Sequence, residues 1–197
     1  MKKSLAQLME QLKFIDLFCG IGGFRYAFEA AAAERGLTPK CVFSSDIDHF
    51  CRKTYESNFG EPPSGDIRKA EAGEIPDHDV LLAGFPCQPF SIFGRGEGFE
   101  DTRGTLFFEI ARILEAKRPR AFVLENVKRL KSHDNGRTLK KILSTLKSLG
   151  YKTEYRILDA RDFGLPQRRG RIWIVGTLDK LPLKWPTGGL PMKPLEE

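Results

Sequence analysis

The sequence predicts an α/β fold built on a mostly parallel β-sheet. Short apolar segments rich in β-branched residues alternate along the chain with longer segments of helical periodicity. Such alternation is typical of βαβ units, in which helices connect parallel strands. The hydrophobic content of 41% is enough for a buried core, and no repeat or low-complexity tract interrupts the pattern. A single domain of this class is therefore expected.

Each element can be placed from its periodicity and its flanking residues. The predicted strands span residues 14–18, 41–45, 79–84, 121–125, 153–159 and 171–177. Helical patterns occupy residues 23–35, 48–58, 104–117 and 136–149. The first residues, MKKSLAQLMEQLKF, lack the apolar core and the small-residue cleavage site of a signal peptide. They predict a short amphipathic helix instead.

Two regions do not fit the alternation of strands and helices. Residues 86–103 form a glycine-rich loop, and loops longer than about 12–15 residues in compact domains are usually lids or binding segments. The tail from residue 181, LPLKWPTGGLPMKPLEE, carries four prolines and two glycines. We expect a catalytic and cofactor-binding domain over residues 1–180 and a linker-like tail over residues 181–197.

Composition narrows the classes of function. The net charge of +6 fits a polyanionic partner, although a merely basic surface is the alternative. No apolar run approaches 18 residues, so no membrane span is expected. Four cysteines without CxxC spacing and three histidines without an i,i+4 pair argue against a metal site or a disulfide framework. This cysteine usage favours a reducing cytoplasm.

A glycine-rich turn follows the first predicted strand, in the segment DLFCGIGGF. Its spacing is GxGG, without the last glycine of the dinucleotide fingerprint GxGxxG, so the turn alone is weak evidence for a cofactor. Asp46 ends the second strand, where a carboxylate accepts hydrogen bonds from ribose hydroxyls or is simply a solvated loop acid. Asp66 either takes an adenine amino group or caps a turn. Together these features favour a nucleoside cofactor.

Cys87 follows the third predicted strand, in the segment FPCQPF. Pro86 and Pro89 restrict the backbone on both sides of it and fix the direction of the thiol. A lone cysteine is more often an inert core residue. Its rigid position at a strand end, beside a predicted lid, favours a nucleophile.

Charged side chains follow the later strands. Glu125 leaves an apolar strand, so its carboxylate is expected to be either paired or protonated. Arg168, Arg169 and Arg171 cluster before the last strand, where Arg169 and Arg171 share one face of the extended chain. They form either a basic surface patch or a fixed set of donors for a phosphate or a base carbonyl.

These motifs, in this order, resemble the DNA (cytosine-5) methyltransferase family of bacterial restriction-modification systems. The segments DLFCGIGGF, GDI, GFPCQPFS, ENV and QRRGR carry the resemblance, which covers roughly residues 13–177. It implies a Rossmann-like S-adenosylmethionine-dependent methyltransferase fold, with helices on both faces of the sheet. It also implies methyl transfer from S-adenosylmethionine to C5 of a flipped cytosine in double-stranded DNA.

The resemblance assigns catalytic roles to four residues. Cys87 attacks C6 of the cytosine, and Glu125 binds N3 and N4 of the ring. Arg171 donates to O2, while Arg169 supports the pocket or a nearby phosphate. The expected DNA-contacting residues are Phe85, through its carbonyl, and Gln88, Ser91, Arg95 and Arg103.

The resemblance also implies a cofactor site for S-adenosylmethionine. Its residues are Phe18, Gly20, Gly23, Asp46, Ile47, Asp66, Ile67, Pro86 and Leu106. Two of them depart from the family pattern. Asp46 stands where the family usually has Glu, and Ile47 stands where an aromatic residue often packs.

The family's target recognition domain and last conserved segments are not found in the sequence. We therefore expect the large subunit of a split methyltransferase, completed by a second polypeptide. The alternative is a truncated, inactive remnant that binds cofactor or DNA without catalysis. A nicotinamide oxidoreductase is disfavoured, because the GxGxxG motif is incomplete and Cys87, Glu125 and the arginines would have no common role.

Overall fold

The computed structural model describes residues 11–86, 106–179 and 183–191, in which six strands form one sheet. The strands are β1 (Leu12–Leu17), β2 (Pro39–Ser45), β3 (Val80–Gly84), β4 (Ala121–Val127), β5 (Lys152–Asp159) and β6 (Gly170–Thr177). The helices are α1 (Gly23–Ala33), α2 (His49–Phe59), α3 (Leu106–Lys117) and α4 (Arg137–Ser148). Every predicted strand and each of the four predicted internal helices is confirmed, with bounds that differ by a few residues.

The strand order is β2-β1-β3-β4-β6-β5. Strands β1 to β4 are mutually parallel, and β6 is antiparallel to both of its neighbours, β4 and β5. The prediction of a mostly parallel sheet is therefore confirmed. Because parallel strands point the same way, the carboxyl ends of β1 to β4 meet at one edge of the sheet, where open α/β sheets bind ligands.

One face of the sheet packs against α1 and α2. Phe14 of β1 clusters with Cys41 and Leu82 from the neighbouring strands, and Phe28 of α1 packs against them. The ring centroids of Phe14 and Phe28 are 4.7 Å apart. The hydroxyl of Tyr55, on α2, lies 3.8 Å from the Cys41 sulfur.

The opposite face packs against α3 and α4. Ile15 and Leu17 of β1 point there, because successive side chains of a strand alternate between faces. They join one core with Ile110 of α3 and Ile142 of α4, all of them fully buried. Helices therefore cover both faces, as the resemblance implied.

The expected amphipathic helix at the start of the chain is wrong in its last part. Leu12–Phe14 belong to β1, where Phe14 is fully buried and pairs with Cys41 of β2 and Val80 of β3. Burial between two strands outweighs the helical periodicity of so short a segment. Residues 1–10 of that prediction lie outside the described residues.

The tail, which was predicted to be linker-like, contacts the domain at two places. The Trp185 indole Nε1 donates to Glu154 Oε2 of β5 at 2.9 Å, and the Arg156 guanidinium lies 5.5 Å from the centroid of the same ring system. Leu190 forms a β-bridge with Phe163. Residues 183–191 are thus packed on the domain, because the indole offers both an apolar face and a donor.

None of the helices in the described parts of the chain is both long enough and apolar enough to cross a membrane.

Candidate functional site

The glycine-rich turn after β1 has a backbone that most side chains cannot adopt. Phe18, Gly20 and Gly22 have φ values of 54°, 54° and 95°. A Cβ on Gly22 would lie 2.1 Å from the Phe59 ring, so glycine is required there for space as well as for φ. Phe18 is held in the left-handed region without that freedom, which is a strain of the kind found at ligand sites.

Asp46, at the end of β2, is oriented by two backbone amides. Its Oδ2 accepts from Gly20 N at 2.8 Å, and its Oδ1 accepts from Asp48 N at 2.8 Å. The glycine turn and the acid that follows the second strand therefore form one unit. Each carboxylate oxygen keeps a second lone pair for a ligand.

A cavity of about 360 Å³, the cofactor cleft, opens beside this unit at the carboxyl ends of β1 to β3. Seven of the residues predicted for the cofactor line it, namely Phe18, Asp46, Ile47, Asp66, Ile67, Pro86 and Leu106. Gly20 supports the cleft through its bond to Asp46, whereas Gly23 lines a different cavity. Arg68, which was not predicted, also lines the cleft.

Asp66 caps the 3-10 turn Ile67–Lys69, so the capping role considered for it is confirmed. Its Oδ1 accepts from Arg68 N at 3.0 Å, and the Arg68 guanidinium donates to both of its oxygens. These hydrogen bonds from the Arg68 side chain are the main reason that the pKa of Asp66 is lowered. The carboxylate is thereby fixed in direction at the rim of the cleft.

A second cavity of about 710 Å³ lies on the α1 side of the sheet. Its polar lining residues, called here the base pocket, are Glu125, Asp159, Arg169 and Arg171. Its apolar lining residues, called here the apolar trough, are Phe24, Ala27, Phe28, Leu82, Val123, Trp173 and Pro186. The structure therefore brings three of the four predicted catalytic residues to one cavity, and the fourth, Cys87, lies outside the described residues. Arg168, from the same basic cluster, does not line this cavity.

Glu125 and Arg171 form an ion pair in the base pocket. Arg171 Nε lies 2.6 Å from Glu125 Oε1, and each side chain is about one-fifth exposed. They meet because β4 and β6 pair antiparallel, with Val127 opposite Arg171, so Glu125 is its diagonal neighbour on the same face. Of the two states expected for Glu125, paired or protonated, the structure shows the paired one.

Asn126 connects the ends of β3 and β4, and the sequence analysis assigned it no role. Its Nδ2 donates to the carbonyl of Phe85 at 2.9 Å, and its Oδ1 accepts from Val127 N at 2.8 Å. The side chain is 2% exposed. The signal in the sequence was an amide at the end of an apolar strand, because a buried amide needs hydrogen-bond partners. The Phe85 carbonyl retains one lone pair for a base amine.

The two cavities meet at Phe18 and Gly84, which line both. A Cβ on Gly84 would lie 3.6 Å from Glu125 Oε2, so the missing side chain keeps this junction open. Phe85 and Pro86 follow Gly84 directly, and Cys87 is the next residue. The strand end that precedes the predicted nucleophile thus lies between the cofactor cleft and the base pocket.

The other cysteines are poor nucleophiles. Burial raises the pKa of Cys41 to about 11 and also raises the pKa of Cys19 and of Cys51. A thiol with a raised pKa carries little thiolate at neutral pH. Of the remaining predicted residues, Cys87, Gln88, Ser91, Arg95 and Arg103 lie outside the described residues.

Histidine, cysteine and carboxylate groups do not converge on a metal site in the described ranges 11–86, 106–179 and 183–191.

Comparison with known proteins identifies sequence relatives across nearly the whole chain. A family model described as C-5 cytosine-specific DNA methylase matches residues 12–196. The type II methyltransferase M.NgoBI of Neisseria gonorrhoeae is 57% identical over 185 residues, which cover 94% of this chain and 56% of that protein. The type II methyltransferase M.HaeII of Haemophilus aegyptius is 58% identical over 178 residues, which cover 90% and 54%. The chain thus spans about half the length of these relatives.

Solved structures share the fold. The DNMT2 E260A/E261A/K263A mutant of Spodoptera frugiperda is 25% identical with a TM-score of 0.69, over 94% of this chain and 56% of that one. The Entamoeba histolytica methyltransferase EhMeth is 19% identical with a TM-score of 0.70, over 93% and 58%. The Rossmann-like methyltransferase fold implied by the sequence motifs is therefore confirmed.

Proposed function

The chain belongs to the C-5 cytosine-specific DNA methylase family, and from this premise we propose that it methylates C5 of cytosine in double-stranded DNA with S-adenosylmethionine. The main observation behind this proposal is that the cofactor cleft and the base pocket meet at Phe18 and Gly84. Methyl transfer requires donor and acceptor to face each other across such a junction.

The residues of the cofactor cleft fit a nucleoside cofactor. The Asp46 carboxylate, oriented by Gly20 N, accepts hydrogen bonds from ribose hydroxyls, and Asp66 accepts from the adenine amino group. Phe18 and Ile67 add apolar walls, which are usual in cofactor sites. When bound, S-adenosylmethionine supplies an electrophilic methyl group.

The base pocket fits a cytosine that has been flipped out of the DNA duplex. Unstacking and unpairing the base costs about a few kcal/mol. Glu125 contacts N3 and N4, Arg171 donates to O2, and Arg169 stands at the rim. The ion pair holds both groups in place before the base enters, so little reorganisation accompanies binding. The Phe85 carbonyl, fixed by Asn126, accepts from the exocyclic amine.

Cys87 is the proposed nucleophile. Its thiolate would add to C6 of the cytosine, which displaces the electron pair of the C5–C6 double bond and makes C5 nucleophilic. C5 would then take the methyl group as the bond between that group and the cofactor sulfur breaks, which leaves S-adenosylhomocysteine. Loss of the C5 proton to a base restores that double bond and expels the cysteine as thiolate. Glu125 and Arg171 stabilise the charge that develops on the ring during these steps.

We further propose that a second polypeptide completes the enzyme. Side chains of α1, β3, β4 and β6 line the apolar trough of the 710 Å³ cavity, and within the described residues only Pro186 of the tail reaches it. We assign to the second polypeptide the covering of the trough and the recognition of the target sequence.

The proposal is tested by transfer of a labelled methyl group from S-adenosylmethionine to DNA. The reaction is run with this chain alone and with the product of the adjacent open reading frame. We expect transfer with both polypeptides and little or none with the chain alone. Cofactor or DNA binding without transfer, in both arms, would support the inactive remnant.

Replacing the nucleophile separates chemistry from binding. We expect Cys87→Ser to abolish methyl transfer, because a serine hydroxyl is not ionised at neutral pH, and to change the dissociation constant of S-adenosylmethionine by less than about three-fold. Cys51→Ser, at a half-exposed thiol on α2, is the matched control and should retain activity. Loss of cofactor binding in Cys87→Ser, measured by calorimetry, would overturn this assignment.

A further inference from the structure

Arg112, on α3, reaches across the domain to the turn that carries Asp66. Its Nη2 donates to the carbonyl of Ala70 at 2.9 Å and to the carbonyl of Ile67 at 3.3 Å. Ile67 is the first residue of the 3-10 turn Ile67–Lys69, and its carbonyl also accepts from Ala70 N at 3.2 Å, while Ala70 caps the other end of the turn. A single guanidinium thus contacts both ends of the turn and satisfies the carbonyl of the capping residue.

Glu109 fixes the direction of that guanidinium. Its Oε2 accepts from Arg112 Nε at 3.0 Å and from Nη2 at 2.7 Å, one helical turn earlier on α3. The two side chains are 15% and 34% exposed, so solvent screens the pair only in part. Lysine could not replace this arrangement, because it lacks the planar fork that contacts a carboxylate and a carbonyl together.

The contact joins two walls of the cofactor cleft. Asp66 and Ile67 line one side of the cleft, and Leu106 lines it from the first turn of α3. Glu109 and Arg112 follow Leu106 by one and two turns on the same helix. Through Arg112, the position of α3 therefore determines where the Asp66 carboxylate stands relative to Leu106.

We propose that Arg112, oriented by Glu109, is a positioning residue that sets the width of the cofactor cleft and the selection of its adenine base. The inference rests on the proposed function, because it concerns the same cleft. Arg112 does not line the cleft itself, so its effect on the cofactor passes through the turn Ile67–Lys69. Asp66 can distinguish an adenine amino group from an oxygen only while that turn is held.

The chain provides a matched control on the same helix. Lys117, at the end of α3, donates to the carbonyl of Gly73 at 3.0 Å and lies 3.3 Å from Asp77 Oδ1. Lys117 thus joins α3 to residues 73–77, which follow the Asp66 turn in the chain and do not line the cofactor cleft. Arg112→Met and Lys117→Met thus each remove one cationic contact between α3 and residues 67–77.

Calorimetry with S-adenosylhomocysteine and its hypoxanthine analogue, S-inosylhomocysteine, tests the role of Arg112. For Arg112→Met we expect about ten-fold or weaker binding of the adenine ligand, the scale of a lost charged hydrogen bond, with little change for the hypoxanthine ligand. The preference for adenine should fall accordingly. Lys117→Met should keep the wild-type preference, and Arg112→Lys should restore only part of it.

Each result decides between specific possibilities. If the wild-type chain binds neither ligand, the proposed cofactor is wrong and this inference falls with it. If the wild type prefers adenine and Arg112→Met keeps that preference, the cofactor stands and the role of Arg112 is wrong. Should Arg112→Met fail to fold, Glu109→Gln keeps the guanidinium and loosens its orientation, so an unchanged preference in that variant overturns the inference.

Discussion

At the scale of single residues, the base pocket depends on groups from different strands that constrain one another. Glu125 and Arg171 are paired at 2.6 Å, and Asn126 holds the Phe85 carbonyl at 2.9 Å. Neither pair joins residues that are near each other in the sequence. The pocket is therefore preorganised by sheet pairing, so that substitution of one partner changes the geometry of the other.

Neutralising the pocket carboxylate should impair chemistry far more than folding. We expect Glu125→Gln to lower the methyl transfer rate by about a hundred-fold or more, because the ion pair with Arg171 and the contact to N3 are both lost. The free energy of unfolding should change by less than about 2 kcal/mol, because glutamine keeps the size of the side chain and an oxygen that accepts from Arg171.

The matched control for this variant is Glu154→Gln. Glu154 lies on the neighbouring strand β5 and accepts from Trp185, but it does not line the base pocket. The methyl transfer rate of Glu154→Gln should stay within about two- to three-fold of the wild-type rate. Single-turnover assays with both polypeptides measure it. Equal losses in both variants would contradict the role assigned to Glu125.

The buried carboxyl group of Asp16 should make the stability of the protein depend on pH. It is fully buried, and neither carboxylate oxygen has a hydrogen-bond partner within the described residues. Burial raises its pKa from 3.8 to about 7, although Arg25 nearby opposes the rise. The folded state thus holds a proton that the unfolded state has lost, so this contribution to stability is complete below pH 4 and disappears as the pH rises to about 7.

Asp16→Asn should remove this dependence, since the amide is nearly isosteric and does not ionise. We expect the variant to match the wild type at pH 3.5 and to exceed it in unfolding free energy at pH 8, by up to about 4 kcal/mol for three pKa units. Urea denaturation at both pH values measures the difference. A difference that is independent of pH would contradict the assignment.

At the scale of elements, the turn between β1 and α1 contributes to both cavities and also contacts α2. Phe18 lines both cavities, Gly20 orients Asp46, and Gly22 precedes α1 in contact with Phe59 of α2. The sequence motif predicted a tight turn with glycines for close approach. The neighbour that Gly22 approaches is, however, a side chain of this protein, the Phe59 ring.

Alanine at Gly22 should destabilise the protein more than alanine at Gly20. Both residues have positive φ, which costs about 1–2 kcal/mol for a side chain, but nothing lies within 4 Å of a Cβ on Gly20. Crowding against Phe59 should add about 1–3 kcal/mol to the free energy lost in Gly22→Ala.

Thermal or urea unfolding of the two variants tests this difference. In the double variant Gly22→Ala, Phe59→Leu, the loss of stability should be smaller than the sum of the single losses, because the smaller side chain makes room. Additive losses, or equal effects at Gly20 and Gly22, would show that space at Gly22 is not limiting.

At the scale of the whole molecule, the apolar trough and the positive charge suit the two proposed partners, a second polypeptide and DNA. The trough presents Phe24, Phe28 and Trp173 beside the base pocket, with the Phe24 and Trp173 rings 5.5 Å apart. Apolar surface of this kind is buried favourably against another polypeptide. The net charge of +6 suits the phosphate backbone of DNA.

Covering of the trough can be observed through Trp173. In a Trp185→Phe background, Trp173 is the only tryptophan, because the chain has two. We expect its fluorescence emission to shift to shorter wavelength when the second polypeptide binds, since the half-buried indole loses contact with water. A Trp173→Phe, Trp185→Phe chain provides the blank, and unchanged emission in an active complex would place the second polypeptide elsewhere.

Much of the fold and part of the site could be predicted from the chain alone. Period-two and period-3.6 patterns are local, so the six strands and four internal helices could be predicted, whereas Leu12–Phe14, expected to end a helix, belong to β1. For Phe14 the decisive energy comes from burial between β2 and β3, which no local pattern contains. The docking of Trp185 on β5 was missed for the same reason.

By itself the sequence determined the order of the elements, the glycine turn, the family, and the residue types that the site contains. These depend on local periodicity and on motifs whose chemistry is carried by each side chain. Only the tertiary structure decided that Glu125 is paired with Arg171, that Asn126 holds Phe85, and that Arg112 holds the Asp66 turn. Such contacts join residues distant in the chain, and their geometry follows from strand pairing and helix packing across the whole sheet.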